Sequence, residues 1–344
     1  SNGIVAQQDI PPKFGVAFLP GPPAEFSAWC LEAEVLGFDL VGIPDSQSVY
    51  RENIVSSTLA AAHTRRVRFG PIVINPITRH PAVAASAIAT LAELAPGRVI
   101  LGIGTGDSAV HNLGLRPAKL AELREYVTTI RQLLLRGESV YQGTPVRITW
   151  KPPYVPIYIA AIGPRTMELA GEIADGVIIL NGLLPENIKA SLTHIGVGAA
   201  SAGRRVEDLD LWWWTSAAVA DSRTAAIESL MMSLASGAKH LAQVTTDGKQ
   251  IPSELEPTFH EVMGRYRFDQ HQVPGGANVR LIEELGLVDY LAERMAIAGS
   301  PNDCKAQIAR AQKAGAYQFC LLVAFANKIG FMRRWSESVV ADLS

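Results

Sequence analysis

The sequence predicts an α/β protein, a single (β/α)8 TIM barrel with insertions after strands 4 and 7. Strand and helix patterns alternate along nearly the whole chain, and eight apolar runs are typical of strands. The length of 344 residues is normal for one such barrel with insertions. A doubly wound open sheet rarely contains eight consecutive units of this kind, so we favour the closed barrel.

The predicted strands are short apolar runs that end in polar residues or glycine, at 14–19, 39–43, 67–74, 99–103, 156–161, 176–180, 211–219 and 317–324. Helices fill the segments between them, and several begin at a proline, whose missing N–H costs nothing in the first turn. They are predicted at about 24–36, 54–63, from 81, 117–135, from 164, from 185, 221–236 with Asp221 as the cap, 279–295, 300–314 and at the C-terminus.

Two segments are predicted to be insertions in the barrel. Residues 137–155 are rich in proline and are expected to form a small hairpin. Residues 238–280 look irregular and contain histidine, aromatic residues and proline; a loop of this length in a compact barrel is usually functional, so we interpret it as a lid. The predicted organisation is therefore a tail, 1–12, followed by one barrel, 13–344.

Composition excludes several classes of function. The chain is 48% apolar and 19% charged, so it can build a large core, and its formal charge of −2 gives no attraction for nucleic acid. No apolar stretch is long enough to cross a membrane. The N-terminus lacks a signal-peptide pattern, the three cysteines are isolated in apolar contexts, and no metal-ligand spacing occurs. We expect a cytoplasmic protein with three buried thiols.

The segment 68–108 carries the strongest signal for a binding site. It contains two predicted buried strands joined by an alanine-rich helix, and its strand ends carry polar residues or glycine. In parallel α/β proteins, ligands lie at these carboxyl ends. The glycines do not open a helix directly, as a dinucleotide-binding motif requires, because the next predicted helix begins at Pro117. We interpret them as a turn of bare backbone that a flat ring can approach. The candidate residues are Asn75, Gly104, Thr105, Gly106, Asp107 and Ser108.

A second candidate lies at the start of the helix that follows the fifth strand. Its first-turn N–H groups and the charge of Arg165 suit an anion, and small residues before the helix leave space. The alternative is an ordinary helix start with a solvated arginine. Gly182, after the sixth strand, offers a further N–H. The residues assigned to this site are Ala160, Ala161, Gly163, Pro164, Arg165, Thr166 and Gly182.

The sequence offers few groups for acid–base chemistry. No serine–histidine–acid pattern, P-loop or paired carboxylates occur, which suggests that a cofactor supplies the chemistry. The candidate catalytic residues are His260 and His271 in the predicted lid, as proton donors, and Asp107 in the glycine turn. Asp45, at the end of the second strand, either hydrogen-bonds a heteroaromatic ring together with Asn75 or caps the following loop.

Two blocks of sequence resemble the bacterial luciferase-like superfamily. They are INPITRHP (74–81) with ATLAELAPGRVILGIGTGDS (89–108), and IYIAAIGPRTMELAGEIADGVI (157–178), with NLGLRPAKLAELREYV (112–127) between them. The chain is most similar to the branch that contains methylenetetrahydromethanopterin reductases and related deazaflavin-dependent enzymes. The resemblance covers roughly residues 13–220, with a looser match to the end.

The resemblance implies a barrel that holds FMN, or its 8-hydroxy-5-deazaflavin analogue coenzyme F420, over the strand ends. By position, a non-proline cis peptide between Ile72 and Val73 would support the ring. Gly104–Asp107 would flank the ring, and Ala160–Thr166 would hold the ribityl phosphate. Homodimerisation is also implied. One departure stands out, since deazaflavin enzymes of this type often have Asp-His after the second strand and this chain has Asp45-Ser46.

The first hypothesis is therefore an FMN-dependent, luciferase-like monooxygenase. A separate reductase would supply reduced flavin, which would react with oxygen and a small organic substrate in a pocket kept dry by residues 238–280. The alternative is a coenzyme F420-dependent hydride-transfer reductase or dehydrogenase, against which the Asp45-Ser46 pair argues. A non-catalytic flavin or ligand carrier on the same barrel is the third hypothesis.

Overall fold

A computed structural model describes residues 10–343 of the chain, so residues 1–9 of the predicted tail lie outside the described part. Most strands follow the predicted runs but are shorter. The strands are β1 (Lys13–Ala17), β2 (Leu40–Ile43), β3 (Arg68–Pro71), β4 (Leu101–Ile103), β5 (Glu138–Tyr141), β6 (Thr144–Arg147), β7 (Ile157–Ala161), β8 (Gly176–Ile179), β9 (Asp210–Val219), β10 (Ala296–Gly299) and β11 (Gln318–Leu322).

Helices connect the strands and in several cases begin at a proline, as predicted. They are α1 (Pro23–Val35), α2 (Asn53–His63), α3 (Pro81–Leu94), α4 (Ser108–His111), α5 (Leu120–Arg136), α6 (Pro164–Ile173), α7 (Pro185–Ser201), α8 (Arg223–Glu228), α9 (Met231–Ala242), α10 (Glu256–Arg265), α11 (Ala277–Glu284), α12 (Val288–Met295), α13 (Pro301–Ala314) and α14 (Lys328–Ser338).

The main sheet confirms the predicted (β/α)8 barrel. Its strands are hydrogen-bonded in the order β3-β2-β1-β11-β9-β8-β7-β4, and β10 adds to β9 in parallel. The two ends of this path, β3 and β4, are joined by the parallel bridges Phe69–Val99 and Ile74–Ile103, which close the ring. The strands β5 and β6 form a separate antiparallel hairpin within the insertion 137–155.

The chain divides into two compact units, which we describe separately. The N-terminal unit comprises Val16–Ile178 and His194–Leu211, and the described part of the C-terminal unit comprises 10–15, Ile179–Thr193 and 212–343. In the N-terminal unit, β3 and β4 approach so closely that a Cβ on Gly70 would lie 1.9 Å from the carbonyl oxygen of Ile100. In the C-terminal unit, Trp212 and Trp213 of β9 are buried in the core.

Two helix starts differ from the prediction because local hydrogen bonds compete with the helix. The helix predicted from Pro117 begins at Leu120, since the Ala118 N–H is held by the carbonyl of Thr105 and the Glu122 carboxylate accepts from the N–H of Lys119. The helix predicted over 221–236 is capped by Ser222 rather than Asp221, and it is interrupted after Glu228, so that it forms α8 and α9.

The segment 238–280 is more ordered than predicted. It contains the end of α9, the whole of α10 and the start of α11, and α10 begins with the favourable pair Glu256-Pro257. The helix predicted over 279–295 is two helices with Gly286 between them. The sequence analysis does not predict the strand β10, because its four residues directly follow a helix and resemble a continuation of that helix.

The cysteine prediction is confirmed, since Cys30, Cys304 and Cys320 are free and buried. Burial raises the pKa of the Cys304 thiol, and that of Cys320, to about 12. Among the described residues, no helix is both long and apolar enough to span a membrane.

Glu34, near the end of α1, ties that helix to the start of β3. Its carboxylate accepts hydrogen bonds from the backbone N–H groups of Arg65, Arg66 and Val67, at 2.8, 2.6 and 2.9 Å. Burial alone would raise the pKa of Glu34, but these three donors outweigh burial and hold the pKa below its ordinary value.

We expect Glu34→Gln to lower the free energy of unfolding by about 2 kcal/mol at pH 7, the usual range for hydrogen bonds to a charged group. Because the folded-state pKa is depressed, this stabilisation is present above the unfolded value of about 4.3 and is lost as pH falls through the folded value. Urea titrations at pH 7 and pH 3 measure it. A stability difference that is equal at both pH values would contradict the assignment.

Candidate functional site

Bare backbone covers one face of the barrel where β3 and β4 end. The peptide between Ile72 and Val73 is cis, as expected. A Cβ on Gly102 would lie 2.7 Å from the Pro71 carbonyl oxygen, and one on Gly104 would lie 3.0 Å from Cγ2 of Val73 and 3.8 Å from Cβ of Ala160. This face of β4 therefore carries no side chains, and the backbone at the end of β3 and the side chain of Val73 pack directly against it, with Ala160 next to Gly104.

Asn75 fixes the turn that follows this surface. Its side chain is 2% exposed, and Oδ1 accepts hydrogen bonds from the N–H groups of Ile77 and Thr78 at 2.9 and 3.0 Å. The Nδ2 amide makes no hydrogen bond to any residue that the structure describes. Asn75 therefore holds the turn with one side of its amide and keeps two N–H donors for a ligand.

The glycine turn after β4 requires glycine at one position. Gly106 has φ = +108°, and a Cβ there would lie 2.5 Å from Cγ2 of Val110. The turn leads directly into α4, whose first residue follows Asp107, whereas the sequence predicted no helix before Pro117. Thr105 contributes its carbonyl oxygen, which accepts from Ala118 at 2.8 Å. The glycine turn is thus fixed from both sides.

Asp45 lies at the end of β2 and forms an ion pair that the sequence did not reveal. Its side chain is 3% exposed, and Oδ1 lies 3.2 Å from Nη2 of Arg79, which also contacts Glu52 at 2.7 Å. The second carboxylate oxygen, Oδ2, is buried and accepts no hydrogen bond within the described residues. Burial raises the pKa of Asp45, and Arg79 opposes the rise.

Ser46 occupies the position where the resemblance led us to expect histidine. It is 2% exposed, and its Oγ lies 2.8 Å from Oγ of Ser108 at the start of α4. The side chain of Gln47 also donates to the Ala109 carbonyl at 2.9 Å. These contacts join the end of β2 to α4, which directly follows the glycine turn. Asn75 also lies beside the turn, since its Cβ would be 3.5 Å from a Cβ on Gly106.

The start of α6 is open, as an anion site requires. A Cβ on Gly163 would meet no atom within 4 Å, and no side chain caps the helix. The first-turn N–H groups of a helix have no partners within it. Arg165 is exposed and forms no ion pair with any described residue, while Thr166 is half-buried on the same turn. Pro164 begins the helix, and Ala161 before it is buried.

Three predicted site residues belong to the C-terminal unit. Gly182 has φ = +102° and lies against Arg294, whose Cγ would be 2.6 Å from an added Cβ. His271 is 7% exposed, and its Nδ1 lies 2.8 Å from the hydroxyl of Tyr266. His260 is exposed on α10. His271 therefore has a buried ring with a hydrogen-bond partner, whereas the ring of His260 is open to solvent.

Comparison with known sequences gives consistent results. A family model described as luciferase-like monooxygenase matches residues 5–318. The 5,10-methylenetetrahydromethanopterin reductase of Archaeoglobus fulgidus is 31% identical over 316 residues, which is 89% of this chain and 92% of that protein. The F420-dependent glucose-6-phosphate dehydrogenase of Nakamurella multipartita is 36% identical over 208 residues, or 55% of this chain and 61% of that protein.

Comparison with solved structures gives the same fold. The coenzyme F420-dependent tetrahydromethanopterin reductase of Methanopyrus kandleri has a TM-score of 0.77 at 26% identity, covering 97% of this chain and 100% of that one. The oxygenating constituent of 3,6-diketocamphane monooxygenase from Pseudomonas putida, in complex with FMN, has a TM-score of 0.65 at 20% identity, covering 96% and 98%. The second likeness concerns the fold alone.

We expect Arg79→Met to lower the free energy of unfolding by about 3 kcal/mol at pH 7, because it leaves the buried Asp45 carboxylate without its charge partner. An acid whose folded-state pKa is raised destabilises the fold above its unfolded value of about 3.9. The loss is thus largest near neutral pH and shrinks as pH falls through the raised pKa. Chemical denaturation at pH 7 and pH 4 measures it.

The double variant Arg79→Met/Asp45→Asn is the matched control. It removes the unpaired charge, so it should recover much of the stability that Arg79→Met loses at pH 7. A double variant as unstable as the single one would show that the loss comes from side-chain packing instead.

We expect Gly106→Ala to destabilise the fold more than Gly97→Ala. Both glycines have positive φ, which costs roughly 1–2 kcal/mol for alanine, but a Cβ at Gly97 meets no atom within 4 Å. The difference between the two variants in urea denaturation reports the contact with Val110 together with the larger φ of Gly106, which alanine adopts less readily than the φ of Gly97. Equal losses would show that α4 shifts to make room, and that the glycine turn is not rigid.

Proposed function

The chain belongs to the luciferase-like monooxygenase family, and from this premise we propose that it is an oxidoreductase that transfers a hydride between coenzyme F420 and a small organic substrate. The proposal depends chiefly on one observation. The methylenetetrahydromethanopterin reductases match nearly the full length of the chain, and a tetrahydromethanopterin reductase of known structure that shares the fold of this chain is coenzyme F420-dependent. This reverses the ranking that the Asp45-Ser46 pair suggested.

The surface on β4 suits a planar ring. Glycine at 102 and 104 keeps side chains off one face, and Val73 and Ala160 supply apolar contacts at its border. A flat heteroaromatic ring gains from burial of its apolar faces against side chains of this kind. The free Nδ2 amide of Asn75 offers donors to ring oxygen or nitrogen atoms. When bound, the deazaflavin supplies a two-electron carrier that does not depend on oxygen.

The start of α6 suits the anionic tail of the coenzyme. Unpaired N–H groups of the first turn and the unpaired guanidinium of Arg165 favour a phosphate, and Gly163 leaves space for it. In this proposal the residues Ala160–Thr166 bind and orient the tail. Gly182, in the C-terminal unit, is proposed separately as a cofactor-binding residue.

Proton handling is assigned to few groups. The buried hydroxyls of Ser46 and Ser108 can donate or accept hydrogen bonds but do not act as strong bases at neutral pH. We propose Asp107 and His271 as the groups that hold or move a proton, with the Tyr266 hydroxyl orienting the imidazole. His260 stays a prediction without support from its exposed position.

An FMN-dependent monooxygenase is the second candidate. Serine in place of the expected histidine favours it, and an FMN-bound monooxygenase shares the fold. In that case a separate reductase would supply reduced flavin, and the segment 238–280 would exclude water. A homodimer in the cytoplasm is part of both versions of the proposal.

Equilibrium titration of the purified protein with coenzyme F420 and with FMN, followed by absorbance and fluorescence, tests the proposal. We expect coenzyme F420 to bind at least about tenfold more tightly, a difference of about 1.4 kcal/mol. Tighter binding of FMN, together with oxygen consumption when a reductase is added, would establish the second candidate. Binding of neither coenzyme would contradict both.

We expect Arg165→Ala to weaken coenzyme binding by about tenfold, because it removes one charge-assisted contact to the phosphate. The exposed Lys151→Ala variant, which also removes one positive charge, is the control and should leave the affinity unchanged. Equal weakening in both variants would indicate a general charge effect, and no weakening in either would place the phosphate elsewhere.

A further inference from the structure

Arg294, on α12, is a fully buried arginine whose five N–H groups are all used by the protein. Nε donates to the Asn181 carbonyl at 3.0 Å, and Nη2 donates to Oδ1 of Asn181 at 2.8 Å and to the Lys249 carbonyl at 2.5 Å. Nη1 donates to the Gln250 carbonyl at 3.3 Å and to the Tyr290 hydroxyl at 3.0 Å. No donor is left for a ligand.

These bonds connect α12 to the turn after β8. The backbone reinforces the connection, since the N–H of Leu183 donates to the Arg294 carbonyl at 2.7 Å. Gly182 lies between Asn181 and Leu183, which both bond to Arg294. A Cβ added to Gly182 would lie 2.9 Å from the Arg294 carbonyl oxygen. The path of the backbone at Gly182 is therefore set by its contact with Arg294.

The same bonds hold residues 243–250, which we call the strap. Its last residue is also fixed by Asn181, whose Nδ2 donates to Oε1 of Gln250 at 2.8 Å. Lys249 is 4% exposed, and its Nζ donates to the carbonyls of Leu241 and Gln243 at 3.1 and 2.9 Å. By contrast Val244 is fully exposed. The strap is thus anchored at its C-terminal end by two buried cations.

The distribution of charge in the C-terminal unit indicates that Arg294 does more than stabilise the fold. In the described part of the C-terminal unit, four cationic side chains are buried and every Asp and Glu is at least partly exposed. The hydrogen-bond acceptors of Arg294 are all neutral, and burial lowers its pKa. A buried charge without a carboxylate is costly, and an apolar residue of similar volume would often be more stabilising. The four buried cationic side chains are those of Lys239, Lys249, Arg294 and Lys328.

We propose that Arg294 is a positioning residue, which clamps the strap and the Gly182 turn to α12. The clamp gives the first part of the segment 238–280 one fixed path and sets the direction of the Gly182 N–H. The clamp itself does not depend on the proposed function. Its consequence for coenzyme binding rests on that function, because Gly182 is there a proposed cofactor-binding residue.

Limited proteolysis with trypsin tests the clamp, because the bond after Lys249 is protected only while the strap is held. We expect Arg294→Lys and Arg294→Met to increase the rate of cleavage after Lys249 at least tenfold at 25 °C, with the site identified by mass spectrometry of the intact fragments. Tyr290→Phe removes one of the five bonds and should give a smaller increase, which keeps the test available if Arg294→Met does not fold.

Ile308→Ala is the matched control, since Ile308 is fully buried on α13 of the same unit and its loss leaves a cavity in the core. If this variant, at equal or lower stability in urea, is cut after Lys249 as fast as the Arg294 variants, the clamp is overturned. Cleavage rates equal to wild type in the Arg294 and Tyr290 variants would overturn it as well.

Coenzyme titration of the same variants tests the consequence for binding. We expect Arg294→Lys to weaken the affinity severalfold and Ile308→Ala to leave it unchanged. An unchanged affinity in Arg294→Lys overturns the link to Gly182. If the wild-type protein binds neither coenzyme F420 nor FMN, the proposed function fails, while the proteolysis result still decides whether the clamp exists.

Discussion

The close approach of β3 and β4 is the constraint on which the candidate site depends. Gly70, Gly102 and Gly104 have no room for a Cβ without contact, and the cis peptide at Ile72–Val73 lies beside them. Glycine at these positions lets the two strands come close enough to close the ring, because a side chain there would collide with the neighbouring strand. The same packing directs Asn75 and the glycine turn toward a common edge, where a flat ligand can lie.

In the N-terminal unit, the buried carboxylates of Asp45 and Glu34 have hydrogen-bond donors, whereas an exposed arginine lies at the start of α6, where an anion is expected. Asp45 is held by Arg79, and Glu34 is held by three backbone N–H groups, so neither carboxylate is left without a donor. Arg165 has no such partner among the described residues. The N-terminal unit therefore places an exposed guanidinium beside the open start of α6, an arrangement that suits an anion.

Sequence reasoning predicted the fold well, because alternating apolar runs and proline-initiated helices are local signals that the packing reinforces. It failed where tertiary bonds override local preference, as at Leu120, where Thr105 and Glu122 delay the helix, and at β10, which only its pairing with β9 defines. In the site, glycines and helix starts could be predicted from local chemistry. The Asp45–Arg79 pair and the Arg294 clamp could not, since they join residues 34 and 113 positions apart.

The burial of all three thiols has a practical consequence for studying how the protein moves. With Cys30, Cys304 and Cys320 enclosed in the core, and their acidity suppressed by that enclosure, the folded chain offers no reactive sulfur to a maleimide dye. A cysteine engineered at the fully exposed Val244 would carry the dye alone. Fluorescence from that single dye could then follow motion of the strap in real time, without prior replacement of the native cysteines.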